Sequence, residues 1–333
     1  MGRAAVLTGI GSTVPEQVVT NDMLAARMDT SDEWIRSRTG IRERRRVGVG
    51  TATSDLAVEA GRRALKSAGL ESVDALVLAT TTPDHPCPAT APTVASGLGL
   101  GPIPAFDVAA VCSGFLYAMA TAAGLISLGT ADRVLVVGAE AFTTIIDPDD
   151  RNTAPIFGDG AGAVVLTAGH QSDRGALLAF DLGADGDLAD LIVVPAGGSR
   201  QRTSGVEPGP TDHFMKMQGR TVFVNAVNRM TESSRAVLRR TGWDPGSVDW
   251  LVGHQANVRI LHAVADQLDL PEERAFVNVD SVGNTAAASI PLALDDAARA
   301  GRLAPGDRVV LTAFGGGATW GAIALEWPDL AAL

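Results

Sequence analysis

The 333-residue sequence has a single tyrosine and two cysteines, Cys87 and Cys112. Two cysteines build no disulfide framework, and they suit a protein of the reducing cytoplasm. Positive charge is scarce as well. Lys and Arg number 27 against 38 Asp and Glu, and the formal net charge of −11 argues against a nucleic-acid partner. No apolar run approaches the ~18 residues that a bilayer-spanning helix needs. The start Met1-Gly2-Arg3-Ala4-Ala5-Val6 has no apolar signal region and no Ser or Thr at position 6 for myristoylation, so no membrane association is expected. There is no Walker A sequence and no Cys/His spacing suited to zinc. Gly9-Ile10-Gly11 is followed by Val14 where a dinucleotide fingerprint needs its third glycine. Neither a metal nor a resident cofactor is therefore expected.

A repeat organises what is present. Ser72-Val73-Asp74-Ala75-Leu76-Val77 recurs as Ser247-Val248-Asp249-Trp250-Leu251-Val252, and Asp132-Arg133-Val134-Leu135 recurs as Asp307-Arg308-Val309-Val310. Both pairs are 175 residues apart, from 72 to 247 and from 132 to 307. Between them Asp107-Val108 matches Asn278-Val279 at an offset of 171, which pairs Cys112 with position 283. Around these anchors a helix capped by Thr53 or Ser54 is predicted to run to Lys66 and stop at Gly69, and its counterpart to run from Gly219 to Gly242. Strands follow at 75–80 and 250–253. Second strands at 106–108 and 276–279 feed helices starting near Cys112 and Asn284. Residues 115–128 are apolar on every face, as a helix buried on all sides should be. Third strands at 133–137 and 308–312 lead into glycine-rich hairpins. This alternation predicts an α/β fold with largely parallel sheets, in two similar halves packed about a pseudo-twofold axis. The halves are residues 1–170, with Cys112, and residues 171–333, with His254, Asn284 and the glycine-rich loop. The Gly/Ser/Arg/Pro-rich segment 195–210 reads either as a lid over an entrance or as a solvated connection.

Four places could carry chemistry. Cys112 lies where a buried strand meets a buried helix, and unpaired N–H groups and the helix dipole there favour a thiolate. A lone cysteine is more commonly a small buried hydrophobe. His254 ends the strand 250–253 in a loop with two side-chain amides, Gln255 and Asn257. Strand ends are where α/β sheets place functional groups, although a single histidine is often satisfied by backbone partners. Asn284 stands near the start of the helix matching that of Cys112, and could be no more than a cap. Pseudo-twofold packing would bring Cys112 and Asn284 to one central point, with His254 joining from the neighbouring strand end. Phe314-Gly315-Gly316-Gly317-Ala318-Thr319-Trp320-Gly321 can expose N–H groups as an oxyanion hole or simply turn a hairpin, as can the matched Phe157-Gly158-Asp159-Gly160-Ala161-Gly162.

Together Cys112, the run His254-Gln255-Ala256-Asn257-Val258-Arg259-Ile260, the run Gly283-Asn284-Thr285-Ala286-Ala287-Ala288-Ser289-Ile290-Pro291 and the stretch from Gly315 to Trp320 resemble β-ketoacyl-acyl carrier protein synthase III. That family belongs to the thiolase superfamily, and the similarity runs nearly end to end. The resemblance implies a thiolase-like fold with α-β-α-β-α layers, usually a homodimer. It implies that Cys112 takes an acyl group from acyl-CoA, which is a substrate and not a cofactor. His254 and Asn284 would stabilise the enolate formed as malonyl-acyl carrier protein loses carbon dioxide, and the N–H groups of Cys112 and Gly316 would hold the thioester oxyanion. The segment Thr30-Ser31-Asp32-Glu33-Trp34-Ile35-Arg36-Ser37-Arg38 is similar to the family's coenzyme A segment, so Trp34 would stack on adenine, Arg151 would cover its other face and Arg38 would meet phosphate. Asn257 would contact the pantetheine arm.

Two departures bear on substrate and partner. Cys87 stands where some relatives place a phenylalanine against the neighbouring subunit's acyl pocket, so room for a longer or branched primer is expected. Arg259 of the carrier-protein surface is kept, but Val224, Asp266 and Gln267 replace cations of relatives. Acidic carriers are drawn to positive patches, so a different carrier or acceptor is an open alternative. The competing activity is acyl transfer from Cys112 to an alcohol or amine without decarboxylation. It does not need an enolate site, and the presence of His254 and Asn284 favours condensation.

Overall fold

The computed structural model describes residues 2–330. Nine strands build its two principal sheets: β1 (Ala4–Thr13), β2 (Ala75–Ala79), β3 (Ala105–Val108), β4 (Arg133–Glu140), β5 (Gly160–Gly169), β6 (Leu177–Ala184), β7 (Trp250–Gly253), β8 (Arg308–Gly315) and β9 (Thr319–Glu326). The first sheet has the order β1-β5-β4-β2-β3 and the second β7-β8-β9-β6. Only one side of each sheet is parallel. β2 runs parallel to β3 and β4, and β7 runs parallel to β8, whereas β4–β5, β5–β1, β8–β9 and β9–β6 are antiparallel. The sheets are thus less parallel than strand–helix alternation suggests. β8 and β9 are joined by a tight turn, and such a turn can only reverse the chain.

Side-chain alternation assigns the layers. Val77, Val134 and Val136 point inward with Val252, Val309 and Leu311, and pack on helices α3 (Gly114–Ser127) and α6 (Ser289–Arg299). Leu76, Leu78 and Leu135 point outward onto α2 (Thr53–Ser67). Leu251 and Val310 do the same against α4 (Gly219–Thr241) and α5 (Val258–Gln267). A strand with both faces apolar must be covered twice, and these strands are. The central helices α3 and α6 lie between the sheets, giving five layers. A short helix α1 (Asp32–Thr39) packs on α5, with Ile35 fully buried against Ile41 and Val279.

The repeat survives in three dimensions down to its register. Ala75 faces Val134 across the ladder as Trp250 faces Val309. The Asp74 carboxylate accepts from the N–H groups of Asp132 and Arg133 at 2.8 Å, and the Asp249 carboxylate accepts from Arg308 N–H at 2.9 Å. Both aspartates therefore pin the start of the parallel strand paired with their own, β4 for Asp74 and β8 for Asp249.

Other local expectations change. Ala52, not Thr53 or Ser54, caps α2: Asp55 accepts the Ala52 N–H at 2.8 Å, while the Thr53 hydroxyl bonds Thr82 O at 2.6 Å. α4 closes as expected on left-handed Gly242 (φ 69°). Leu128 is not part of the buried helix but its exposed C-cap, 83% accessible. The strand expected at 276–279 is reduced to one bridge, Leu251 to Ala275, and Val279–Val282 turns into a short helix. Segment 160–169, expected near a hairpin, is strand β5. Among the described residues no helix is long and apolar enough to cross a membrane.

Candidate active site

The extra turn Val279–Val282 changes which residues correspond. Beyond it the offset returns to 175: the 3-10 turn Val111–Ser113 matches Ala286–Ala288, and α3 matches α6. Cys112 therefore pairs with Ala287 rather than with position 283. Both turns open on a residue forced into the left-handed region, Val111 at φ 46° and Ala286 at φ 45°. A β-branched residue is strongly disfavoured there. The same kink in both halves shows that the packing of the two central helix starts imposes it.

Cys112, His254 and Asn284 all line one cavity of about 610 Å³. Its floor and walls include Phe142, Phe157, Ile192 and Met215, and its mouth carries Trp34, Arg38, Arg151 and Asn257. Strand and helix ends from both halves thus meet at one space, as the pairing of Cys112 with the second helix start requires.

Each polar group is held by named partners. The imidazole of His254 is buried and its Nδ1 lies 2.6 Å from Ser289 Oγ. The Gln255 N–H donates to that same Oγ at 3.4 Å, so the hydroxyl proton is available for Nδ1. When Ser289 donates to Nδ1, the neutral ring carries its proton on Nε2. Burial lowers the His254 pKa to about 3, which keeps the ring neutral near pH 7. The Asn284 Oδ1 accepts from Ala286 N–H at 2.9 Å, and the Asn284 backbone bonds Ile156 O and Gly158 N. With its oxygen occupied, the Asn284 amide offers N–H donors. A neutral imidazole and an amide both donate, and they suit a developing anion.

Cys112 departs from expectation. Burial pushes its thiol well up, and the negative charge of Glu140 pushes in the same direction, outweighing the hydrogen bond of the local backbone. Burial therefore favours the thiol, whereas the helix start alone suggested a thiolate. Desolvation wins because Cys112 is only 6% accessible.

The glycine loop is fastened to this turn. Ser113 Oγ lies 2.8 Å from Thr319 Oγ1, and the two hydroxyls donate to the Ala110 carbonyl at 2.9 and 3.0 Å. A Cβ on Gly315 would stand 2.8 Å from the Cys112 N and 2.9 Å from the Ser113 N, so only glycine lets the strand end approach these donors. Gly315→Ala should lower the rate of Cys112 acylation by ~10²-fold, about the cost of one lost oxyanion donor. Time-resolved intact mass measures that rate, and an unaltered circular dichroism spectrum would show the fold intact.

The remaining site residues divide. Trp34 lies under Arg151 at 5.0 Å and near Arg38 at 5.8 Å, an aromatic face flanked by two guanidinium groups. Asn257 caps α5 by accepting the Arg259 N–H at 2.8 Å and donates to Arg38 O at 2.9 Å, so it ties α1 to α5 at the mouth. Thr30 is not among the residues lining the cavity, and its buried hydroxyl has no hydrogen-bond partner. Gly316 lies over Val111 and Ile192. Cys87 is exposed and lines neither this cavity nor a neighbouring one of about 680 Å³. Exposed Arg259 sits over Phe223 at 5.6 Å. No residue of 195–210 lines the cysteine cavity; Ala196 lines the neighbouring one. Among the described residues no group of three or more His, Cys, Asp or Glu is placed to hold a metal ion.

Sequence reasoning gave no role to Ser289, which orients His254, or to Glu140. Ser289 stands in the Asn284 motif itself. Glu140 was detectable as the residue 175 positions before Gly315.

Two duplicated halves, with central helices between two sheets and a cysteine at one helix start, define an acyl-transferring condensing enzyme of the thiolase-like fold. Residues 106–186 match the family model "3-Oxoacyl-[acyl-carrier-protein (ACP)] synthase III", and residues 238–327 match the model of its C-terminal part. The chain is 60% identical over 333 residues to beta-ketoacyl-[acyl-carrier-protein] synthase III 5 of Streptomyces coelicolor, covering 100% of both chains. It superposes with TM-score 0.93 and 53% identity on the 3-oxoacyl-(acyl carrier protein) synthase III of Pseudomonas aeruginosa PAO1, covering 99% of this chain and 100% of that one. The priming β-ketosynthase of the R1128 polyketide pathway gives TM-score 0.91 at 32% identity, over 99% of this chain and 98% of that one. The chain belongs to the β-ketoacyl-acyl carrier protein synthase III family.

Proposed function

We propose that the chain primes fatty-acid or polyketide synthesis, with Cys112 accepting an acyl group from acyl-CoA and passing it to malonyl-acyl carrier protein. In the first step the Cys112 sulfur attacks the acyl carbonyl, the bond to the CoA sulfur breaks, and the thiol proton leaves with CoA. The N–H groups of Cys112 and Gly316 would hold the transient oxyanion. In the second step malonyl thioester loses carbon dioxide and its bonding electron pair becomes an enolate, held by His254 Nε2–H and the Asn284 amide. The enolate carbon attacks the Cys112 thioester, and the departing thiolate takes a proton from solvent.

The single observation that carries this reading is the pair of neutral donors, His254 and Asn284, in the same cavity as Cys112. Simple acyl transfer to an alcohol or amine needs a base and no such pair. The slot between Trp34 and Arg151 suits adenine, Arg38 a phosphate, and Asn257 the pantetheine arm; Thr30 belongs to the same segment. Arg259 offers a cation to the carrier protein, beside exposed Val224, Asp266 and Gln267. A homodimer in the cytoplasm, halves divided at residue 170, and Cys87 meeting the partner's acyl pocket complete the proposal, with no cofactor beyond the substrates.

Incubation with acyl-CoAs from C2 to C8, followed by intact mass with and without malonyl-acyl carrier protein, tests it. The expected result is a Cys112 adduct that clears with release of carbon dioxide, with C4–C8 primers turned over at least as fast as acetyl-CoA. Clearing only with an alcohol or amine would establish the transfer activity instead.

A further inference from the structure

Glu140 ends β4 inside the protein and is fully inaccessible. Its carboxylate accepts from the Thr81 N–H at 3.0 and 3.1 Å, the Thr82 N–H at 3.2 Å and the Thr82 hydroxyl at 2.6 Å. The Thr80 hydroxyl lies at 3.4 Å, and the nearby Ala287 N–H, though not in hydrogen-bond geometry, also favours the charged form. Among the described residues no lysine or arginine pairs with it. A buried carboxylate without a counter-ion is costly: burial raises the Glu140 pKa to about 7 against the hydrogen bonds from Thr81 and Thr82, so its charge is fully present only above neutral pH, where the Cys112 thiol is titrated.

The repeat explains what it replaces. Glu140 corresponds to Gly315, and Ala287 corresponds to Cys112, each 175 residues on. In one half a glycine leaves the Cys112 N–H open beside the strand end. In the other, a carboxylate fills that volume and faces the matching Ala287 N–H, which favours its charged form. The two helix starts are built alike, and the side chain at this one strand position makes one of them open and the other plugged.

We propose that Glu140 is a positioning residue for condensation, plugging the non-catalytic counterpart of the oxyanion site so that the 286–288 turn holds Asn284 and Ser289 in place. The chain of contacts is short. Ala287 lies between Ala286, whose N–H fixes the Asn284 oxygen, and the Ser289 hydroxyl that orients His254. β4 has no slack here, because a Cβ on Gly138 would stand 2.4 Å from Ala287 O. Glu140 touches neither substrate nor Cys112 directly. Its charge does reach the thiol, and the same cavity is lined by His254, held neutral by burial, and by Arg38, Asp150, Arg151, Lys216 and Arg220.

The inference rests on the condensing activity proposed above, and Glu140→Gln tests the two separately. Glutamine keeps the shape, but its NH2 group must face at least one of the N–H donors. Condensation should fall by ~10²-fold, the cost of a misplacement of about 1 Å. Acyl loading of Cys112 at pH 7 should persist, and the pH profile of Cys112 alkylation by iodoacetamide should move to lower pH because a negative charge has gone. Glu140→Asp keeps the charge and withdraws the carboxylate, so it should leave the alkylation profile in place while condensation falls. A Gln variant that matches wild type in both steps would overturn the role of Glu140. So would one in which loading and condensation fall equally with an unmoved profile. A wild-type protein that neither loads acyl groups nor releases carbon dioxide would overturn the condensing activity itself.

Discussion

Cys112→Ala should abolish the acyl adduct and lower condensation by at least ~10³-fold, as expected where a covalent intermediate divides a difficult step. The substitution removes one sulfur from a site walled by Phe142, Ile192 and Met215, so the small void it leaves should cost little fold stability. His254 and Asn284 keep their own supports, Ser289 and Ala286, neither of which depends on the thiol. The variant should therefore still bind malonyl thioester and release carbon dioxide slowly without an acyl acceptor. Intact mass after acyl-CoA incubation and carbon dioxide release from labelled malonyl-acyl carrier protein read the two halves separately. Persistence of a mass adduct would move the nucleophile elsewhere, and the only other cysteine, Cys87, is exposed and outside the cavity.

Asn284→Asp should separate the steps in the opposite sense. The carboxylate has nearly the shape of the amide, and one oxygen can still accept the Ala286 N–H. The other oxygen replaces an N–H donor by a negative charge where the enolate must form. Loss of one preorganised donor costs ~10²–10³-fold, and the repulsion of like charges adds to it. Acyl loading of Cys112 should continue, so the variant accumulates as acyl-enzyme in the presence of malonyl-acyl carrier protein. Rapid-quench sampling of the adduct against time measures this. Equal loss of loading and condensation would mean that Asn284 serves the first step as well.

Much of this was legible in the sequence because a duplicated fold writes its constraints twice. The Ser-Val-Asp anchors before β2 and β7 recur since each aspartate must hold the start of the parallel strand paired with its own, and the inward valines recur since both sheets press on the same pair of helices. The repeat also led to the cysteine and asparagine as neighbours. It misplaced their exact correspondence because Val279–Val282 inserts a turn that shifts the offset from 171 to 175. No local pattern announces such an insertion. The protonation state of Cys112 was missed for a different reason: the helix start is a local feature, while burial and the Glu140 charge come from chain segments far away. Thr53 was read as a cap because its type fits, but its hydroxyl is engaged by Thr82.

The placement of α3 and α6 between the two sheets bears on how the enzyme fails. The nucleophile and the asparagine sit just before the inner ends of two helices sandwiched between the sheets, with Phe115, Leu116, Met119 and Ile126 fully inaccessible. No small local opening can release them. Heat or denaturant must separate whole layers before the thiol is disturbed, so activity and tertiary structure vanish together, and a partly damaged population is a mixture of intact and dead molecules rather than a uniformly weakened one.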